Sequence, residues 1–205
     1  MKEPMSKRPG IKAFLDALDQ VLNSNSFLLD CPIDLTIDDS ASRLEALIRS
    51  QAFKDLLIEG DIERGWMNYG EWDPEANRYT RLHHGGHFHR AGCSLTMHAL
   101  DRAAVRQRLV HLLTGTASPY HRQLSESAAA PLVGAFLDEL LGEHPEEWAF
   151  LAVDPTFLHT SGYYGNPTRP PGSDDFAYFD GGEGDSSTVF YRRGATWMLL
   201  TNGSP

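Results

Sequence analysis

Residues 187–201 read Ser-Thr-Val-Phe-Tyr-Arg-Arg-Gly-Ala-Thr-Trp-Met-Leu-Leu-Thr. β-Branched and aromatic residues, which favour extended backbone, are concentrated in 187–192 and in 196–201. With 176–180 these runs predict a three-stranded meander. A further strand of the buried type is predicted at 148–153, where the sequence is Trp-Ala-Phe-Leu-Ala-Val. The C-terminal part of the chain is therefore expected to form an antiparallel sheet.

Helical patterns precede these strands. Apolar residues at helical spacing predict four helical stretches: 11–22, 38–60, 103–113 and 119–130. Gly60 is expected to end the second helix, because glycine is frequent at helix C-termini. Pro131 is expected at the start or kink of a further helical segment ending before Gly142, since proline has no N–H to donate inside a helix.

The segment between the second and third helices has a strand pattern instead. Strands are predicted at 65–72, 78–84 and 87–100, and the alternating run 31–37, which contains a proline, predicts an edge strand or an extended segment. Helices and strands occur in blocks rather than in regular alternation, which disfavours a doubly wound sheet.

We therefore predict an α+β fold with a mostly antiparallel sheet and helices packed on one face. Residues 1–205 are expected to form a single domain. Residues 1–9 are expected to be a loose N-terminal tail and residues 156–174 a long irregular loop.

The composition is that of a globular protein, with 41% hydrophobic and 22% charged residues. No apolar run approaches the roughly 18 residues of a membrane helix, and no apolar stretch follows the basic N-terminal residues as it would in a signal peptide. The two cysteines, Cys31 and Cys93, form no disulfide framework. These features predict a soluble cytoplasmic protein without membrane association.

The formal net charge is −10. Such an acidic surface repels phosphate backbones, which disfavours nucleic-acid binding. It is compatible with a basic protein partner, and equally with a charge that serves solubility alone.

A histidine cluster lies at 81–90, which reads Arg-Leu-His-His-Gly-Gly-His-Phe-His-Arg. A Gly-Gly pair between extended runs predicts a two-residue hairpin turn. Because side chains alternate between faces along a strand, His84, His87 and His89 are then expected to share one face, and His83 the other.

Directly opposed side chains of a hairpin lie about 5 Å apart at Cβ, so three imidazoles on one face can converge on one ion. This predicts a metal site for zinc or iron at His84, His87 and His89, with one coordination position open to water or substrate. The alternative is an exposed polar hairpin whose histidines are hydrogen-bonded or stacked on aromatic rings. Cys93 lies too far along the strand to share the ion, and a buried, inert cysteine is the simpler interpretation.

The long loop is the second candidate site. It offers aromatic faces and hydrogen-bonding groups from His159, Tyr163, Tyr164, Asn166 and Arg169. Aromatic and arginine side chains are enriched in binding hot spots, which predicts a binding loop. The alternative is a structural excursion held by prolines.

Two hypotheses for function follow from the sequence. The first is a small acidic protein that acts by binding another protein, as an immunity-type or accessory factor with a basic partner. The second is a transition-metal-dependent enzyme that uses the three histidines, with the long loop as a lid and Glu71 or Asp73 as a base.

Overall fold

The computed structural model describes residues 4–22, 26–36, 38–48, 50–64, 70–73, 75, 78–81, 96–115, 123–154 and 186–201. The helices in these residues are α1 Pro9–Leu22, α2 Ser40–Ile48, α3 Gln51–Arg64, α4 Arg102–Thr114 and α5 Glu126–Leu141. The strands are β1 Phe27–Asp30, β2 Gly70–Asp73, β3 Arg78–Arg81, β4 Thr96–Leu100, β5 Ala149–Asp154, β6 Ser186–Arg192 and β7 Ala195–Thr201.

Five of these strands form one sheet in the order β1-β7-β6-β5-β4, and every neighbouring pair is antiparallel. The long β6–β7 pair lies near its centre, with Phe190 opposite Trp197. Strands β2 and β3 form a separate antiparallel pair. The predicted α+β class and antiparallel sheet are confirmed.

Helices α1, α4 and α5 cover one face of the sheet. Phe136 of α5 lies at the centre of this layer, with ring centroids 4.5 Å from Phe14 of α1 and 5.9 Å from Phe190 of β6. Leu28 and Phe150 complete the sheet side of this core. Burial of these side chains is the main stabilising contribution here, at about 1.5–3 kcal/mol for each fully buried one.

Helices α2 and α3 form a second layer on the opposite face, which the sequence analysis did not anticipate. Leu44, Phe53 and Leu57 of these helices share a core with Val189 and Met198 of the sheet. The physical reason is that the central strands are apolar at successive positions, so helices must pack on both of their faces to exclude water. In β7, residues 198, 199 and 200 are all buried.

Helix α1 crosses α5 at very close range. A Cβ atom added to Gly10 would lie 2.8 Å from the carbonyl oxygen of Ala135. The carboxylate of Glu139, also on α5, accepts hydrogen bonds from the backbone N–H groups of Gly10 and Ile11 at 3.0 and 3.1 Å. These N–H groups belong to the first turn of α1, where no partner exists within the helix. Glu139 therefore caps α1 from a neighbouring helix.

Several predicted boundaries were wrong. Of the two alternatives for 31–37, an edge strand or an extended segment, the edge strand is wrong for the described residues 31–36. The first strand is β1, just upstream, where residues 27–29 are buried at successive positions. The second helix is two helices, with Ser50 between them. Gly60 does not end α3; it lies within it, where a Cβ would come within 2.8 Å of the Phe27 ring. Of the strand predicted at 87–100, the structure describes only residues 96–100, which form β4.

Pro131 does not start a helix, which was one of its two predicted placements. It lies inside α5, a single helix that begins at Glu126, so no separate helix ends at 130. The tail is shorter than expected as well. Met5–Lys7 form a 3-10 turn, and Met5 packs against the α1–α4–α5 core. Among the described residues, no helix is long and apolar enough to cross a membrane.

Candidate functional site

Of the site residues predicted from sequence, only the candidate bases Glu71 and Asp73 lie in the part of the chain that the structure describes, within β2, and the others lie outside it. This holds for the three histidines His84, His87 and His89, for Cys93, and for the loop residues His159, Tyr163, Tyr164, Asn166 and Arg169. Their grouping stays a prediction. Within the described ranges, no group of three or more His, Cys, Asp and Glu side chains is placed to hold a metal ion.

A cleft of about 500 Å³ opens instead at one end of the five-stranded sheet. It lies where the C-terminus of α5, the start of α1 and the β6–β7 turn meet. The charged and aromatic side chains in its lining are Arg8, Asp30, Glu139, Glu143, His144, Trp148, Arg192 and Trp197. They come from four separate stretches of the chain, at residues 8, 30, 139–148 and 192–197, so only the fold brings them together.

The end of α5 fixes one wall of this cleft. Gly142 ends the helix with φ +66°, a backbone conformation that glycine adopts without strain, and its N–H donates to the carbonyl of Asp138. The indole Nε1–H of Trp148 donates to the carbonyl of Leu141 at 3.0 Å. Both contacts satisfy carbonyl groups that the last turn of a helix leaves without partners. Trp148 is thereby held in one orientation, with only 8% of its surface exposed.

Arg192 forms the opposite wall. Its guanidinium lies 5.1 Å from the centroid of the Trp148 ring, within the range of a cation–π interaction. Its Nη1 donates to Glu147 at 3.1 Å. Nε of Arg192 is buried and has no hydrogen-bond partner among the described residues. The guanidinium is thus positioned by stacking and one ion pair.

The turn between β6 and β7 is held by a contact from outside the sheet. Gly194 has φ +74°, and its N–H donates to the Asp34 carboxylate at 2.9 Å. A residue with a side chain would be strained at this φ. The turn carries Arg192 on one side and Trp197 close by on the other strand, so its geometry sets the distance across the cleft.

Arg8 lies at the third wall, at the start of α1. Its Nη1 donates to the backbone carbonyl of Glu139 at 3.3 Å, whereas the carboxylate of Glu139 caps α1. The half-buried Arg8 therefore presents its charge beside the cleft, with a neutral carbonyl as the partner that the structure records for it.

One border of the cleft is acidic, where Glu143 lines it and further acidic residues lie nearby along the chain. Residues 138–147 contain five acidic residues, of which Asp138, Glu143, Glu146 and Glu147 are exposed. A hydrogen bond from its own backbone N–H, with a further contribution from His144, holds the pKa of Glu146 below its usual range, so its carboxylate is charged at neutral pH. The carbonyl end of the α5 dipole adds negative potential at the same place.

This arrangement suits binding better than covalent chemistry. No serine, threonine, cysteine or lysine lines the cleft among the described residues. It offers two tryptophans, two arginines and an acidic rim. No local sequence motif marks the site, because its residues are far apart in the chain.

Comparisons with protein-family models, with curated proteins and with solved structures found no significant match to this chain. Fold and site chemistry are therefore the basis for a functional hypothesis.

Proposed function

We propose that this protein acts by binding another protein, as an immunity-type or accessory factor, and that a basic segment of the partner docks on the cleft between Trp148 and Trp197. The observation that carries the proposal is the cleft itself, which combines two tryptophans and two arginines with an acidic rim. Trp and Arg are the residues most enriched at the energetic centre of protein interfaces.

Each part of the cleft has a role in this proposal. The partly exposed Trp197 supplies rigid apolar surface that loses little conformational entropy on binding, and the buried Trp148 holds the Arg192 guanidinium in place. Glu143 and Glu146 attract cationic side chains and raise the rate of encounter. The exposed part of the Arg192 guanidinium can donate to a backbone carbonyl of the bound segment.

The test is affinity capture from the native organism with the purified protein as bait. We expect one basic protein to be recovered at low salt and to be released as the salt concentration rises, because exposed ion pairs are screened. The double variant Glu143→Lys/Glu146→Lys should lose this protein, and Trp197→Ala should weaken its capture.

The control is Glu59→Lys, which makes one Glu→Lys exchange, half the charge change of the double variant, at an exposed position of α3, on the opposite face of the sheet. This variant should capture the partner as the native protein does. Capture that the cleft variants leave unchanged, or that Glu59→Lys reduces equally, would show that overall acidity and not this cleft is responsible.

A metal-dependent enzyme remains the alternative proposal. It is supported by the sequence cluster His84, His87 and His89, since three imidazoles at hairpin spacing suit zinc or iron. The two proposals differ in a simple observable, because only the second requires about one metal ion per chain.

A further inference from the structure

The N-terminal turn, residues 4–7, forms part of the Trp148–Trp197 cleft. Met5 lines the cleft and packs against the α1–α4–α5 core. Trp197 lines the same cleft and packs against the same core from β7, and both side chains are half-buried. Met5 thus places an apolar side chain of the protein itself in the cleft where the proposed function requires one from a partner.

Few contacts hold the N-terminal turn to the rest of the protein. Its backbone hydrogen bonds are local, from the Lys7 N–H to the Pro4 carbonyl and from the Arg8 N–H to the Met5 carbonyl, both at 3.1 Å. Among the described residues, no backbone hydrogen bond joins the turn to the sheet or to another helix. The turn is tied down chiefly by the packing of Met5 and by the attraction of Lys7 for Glu63, which opposes the rise that burial causes in the pKa of Glu63.

Helix α1 does not depend on the turn for its start. The Arg8 carbonyl accepts from the Lys12 N–H at 2.8 Å, and the Glu139 carboxylate accepts from the N–H groups of Gly10 and Ile11. The first turn of α1 therefore keeps its hydrogen-bond partners when residues 4–7 move away. Displacement of the N-terminal turn leaves the fold intact.

Ser6 opposes the position that the turn takes in the structure. Its hydroxyl oxygen is buried and has no hydrogen-bond partner among the described residues. A hydroxyl that has lost water without gaining a partner disfavours burial, whereas the apolar side chain of Met5 favours it. These two opposing contributions come from adjacent residues of one turn, so a competing ligand needs little free energy to displace it.

We propose that the N-terminal turn is an autoinhibitory contact. Met5 occupies the apolar place in the cleft that a side chain of the basic partner takes on binding, and the turn is displaced when the partner docks. The inference rests on the proposed function, because it describes how access to the same cleft is regulated.

The sequence of the segment supports this competition. Met5-Ser6-Lys7-Arg8 combines one apolar and two basic side chains, which is the chemistry proposed for the docking segment of the partner. A protein whose site is covered for part of the time binds with an affinity that is reduced in proportion to the open fraction. The turn therefore sets the affinity of the cleft without contributing a contact to the complex.

Two variants should shift the turn in opposite directions. Met5→Ser removes the apolar side chain and should open the cleft, whereas Ser6→Ala removes the unpartnered hydroxyl and should close it. The probe is a fluorescent synthetic peptide with one leucine flanked by lysines, and its binding is measured by anisotropy at low salt. We expect Met5→Ser to bind the peptide about three- to tenfold more tightly than the native protein, and Ser6→Ala to bind it more weakly.

The oxidation rate of Met5 by hydrogen peroxide reports the turn directly, because sulfoxide forms faster on an exposed thioether. Trypsin releases residues 3–7 as one peptide in which Met5 is the methionine, so mass spectrometry follows this residue alone. We expect slower oxidation in Ser6→Ala than in the native protein. The lysine-rich peptide should accelerate Met5 oxidation in the native protein, since it displaces the turn, whereas a ligand that docked beside the turn would slow it.

Two controls make the affinity change specific. Met97→Ser changes another half-buried methionine, in β4, which packs against the α2–α3 core, and should bind the peptide as the native protein does. Met5→Leu keeps an apolar side chain and should also retain native affinity. Circular dichroism verifies folding, and the effect of the peptide on Met5 oxidation needs no variant.

The outcomes separate this inference from the proposed function. Peptide binding that slows Met5 oxidation or leaves it unchanged would overturn the inference alone, as would equal peptide affinities of the native protein, Met5→Ser and Ser6→Ala. Absence of peptide binding to all three proteins would overturn both the inference and the proposed docking of a basic segment in the cleft.

Discussion

At the scale of single residues, Asp19 on α1 makes stability depend on pH. Its carboxylate accepts from the Ser26 N–H at 2.8 Å and pairs with Arg64 of α3. Burial nevertheless raises the pKa of Asp19 from 3.8 to about 6, against the opposing effect of Arg64. Between these two values the folded protein holds a proton that the unfolded chain has released, so stability falls as pH rises through this window.

We expect the free energy of unfolding to decrease from pH 4 to pH 6, with Asp19 contributing on the order of 2 kcal/mol, since each pKa unit corresponds to about 1.4 kcal/mol. The Asp19→Asn variant should lose this part of the pH dependence, because its amide does not titrate. Urea unfolding followed by circular dichroism at several pH values measures both slopes. Equal slopes in the two proteins would contradict the assignment to Asp19.

Gly10 allows the close crossing of α1 and α5. We expect Gly10→Ala to destabilise the protein by about 1–3 kcal/mol, because the added Cβ meets a helix backbone carbonyl that has no room to move. Gly134→Ala is the matched control within α5, where the nearest atom to an added Cβ is the mobile guanidinium of Arg106 at 3.8 Å. The control should be neutral or stabilising by up to about 1 kcal/mol. Thermal unfolding compares the two, and equal effects would exclude a steric role for Gly10.

Cys31 is expected to be inert in the folded protein. Burial, with a further contribution from the negative charge of Asp30, raises the pKa of its thiol to about 12, so thiolate is scarce at neutral pH. In a Cys93→Ser background, a thiol-specific chromogenic reagent should react with Cys31 only after denaturant is added. Rapid reaction of the folded variant would contradict this.

At the scale of elements, the amphipathic or wholly apolar segments were the predictable ones. Helices α1 and α4 and strands β5, β6 and β7 follow from their periodicity and fall within about two residues of their predicted bounds. Pro131 was expected at the start or a kink of a helical segment, because proline usually interrupts a helix. Here it is exposed in the first half of α5, and the residue four positions earlier, Ser127, is also exposed. The Ser127 carbonyl, which receives no hydrogen bond from the nitrogen of Pro131, can therefore bind water.

The histidine hairpin is the element whose predicted role remains to be tested. If His84, His87 and His89 form a metal site, purified protein incubated with zinc should retain about one ion per chain by elemental analysis, and its melting temperature should rise. His87→Ala/His89→Ala should abolish both effects. The control His98→Ala/His144→Ala, at two exposed histidines of the described region, should preserve them. Native protein that retains no zinc and melts at an unchanged temperature would refute the site.

At the scale of the whole molecule, the fold class followed from the order of elements, whereas the second helical layer and the candidate site did not. Whether α2 and α3 join the first layer or cover the other face depends on the burial of both faces of β6 and β7, which tertiary packing decides. The cleft could not be predicted either, because Arg8, Trp148 and Arg192 are brought together only by the α1–α5 crossing and the antiparallel register of the sheet. No local spacing encodes either feature.

The central claim is that a basic partner binds at the Trp148–Trp197 cleft. Its most direct test is the dissociation constant of the captured partner for the native protein, for Glu143→Lys/Glu146→Lys and for Glu59→Lys, by calorimetric titration at low salt. The account predicts at least about tenfold weaker binding for the rim variant and native affinity for Glu59→Lys. Equal affinities for all three proteins would contradict it.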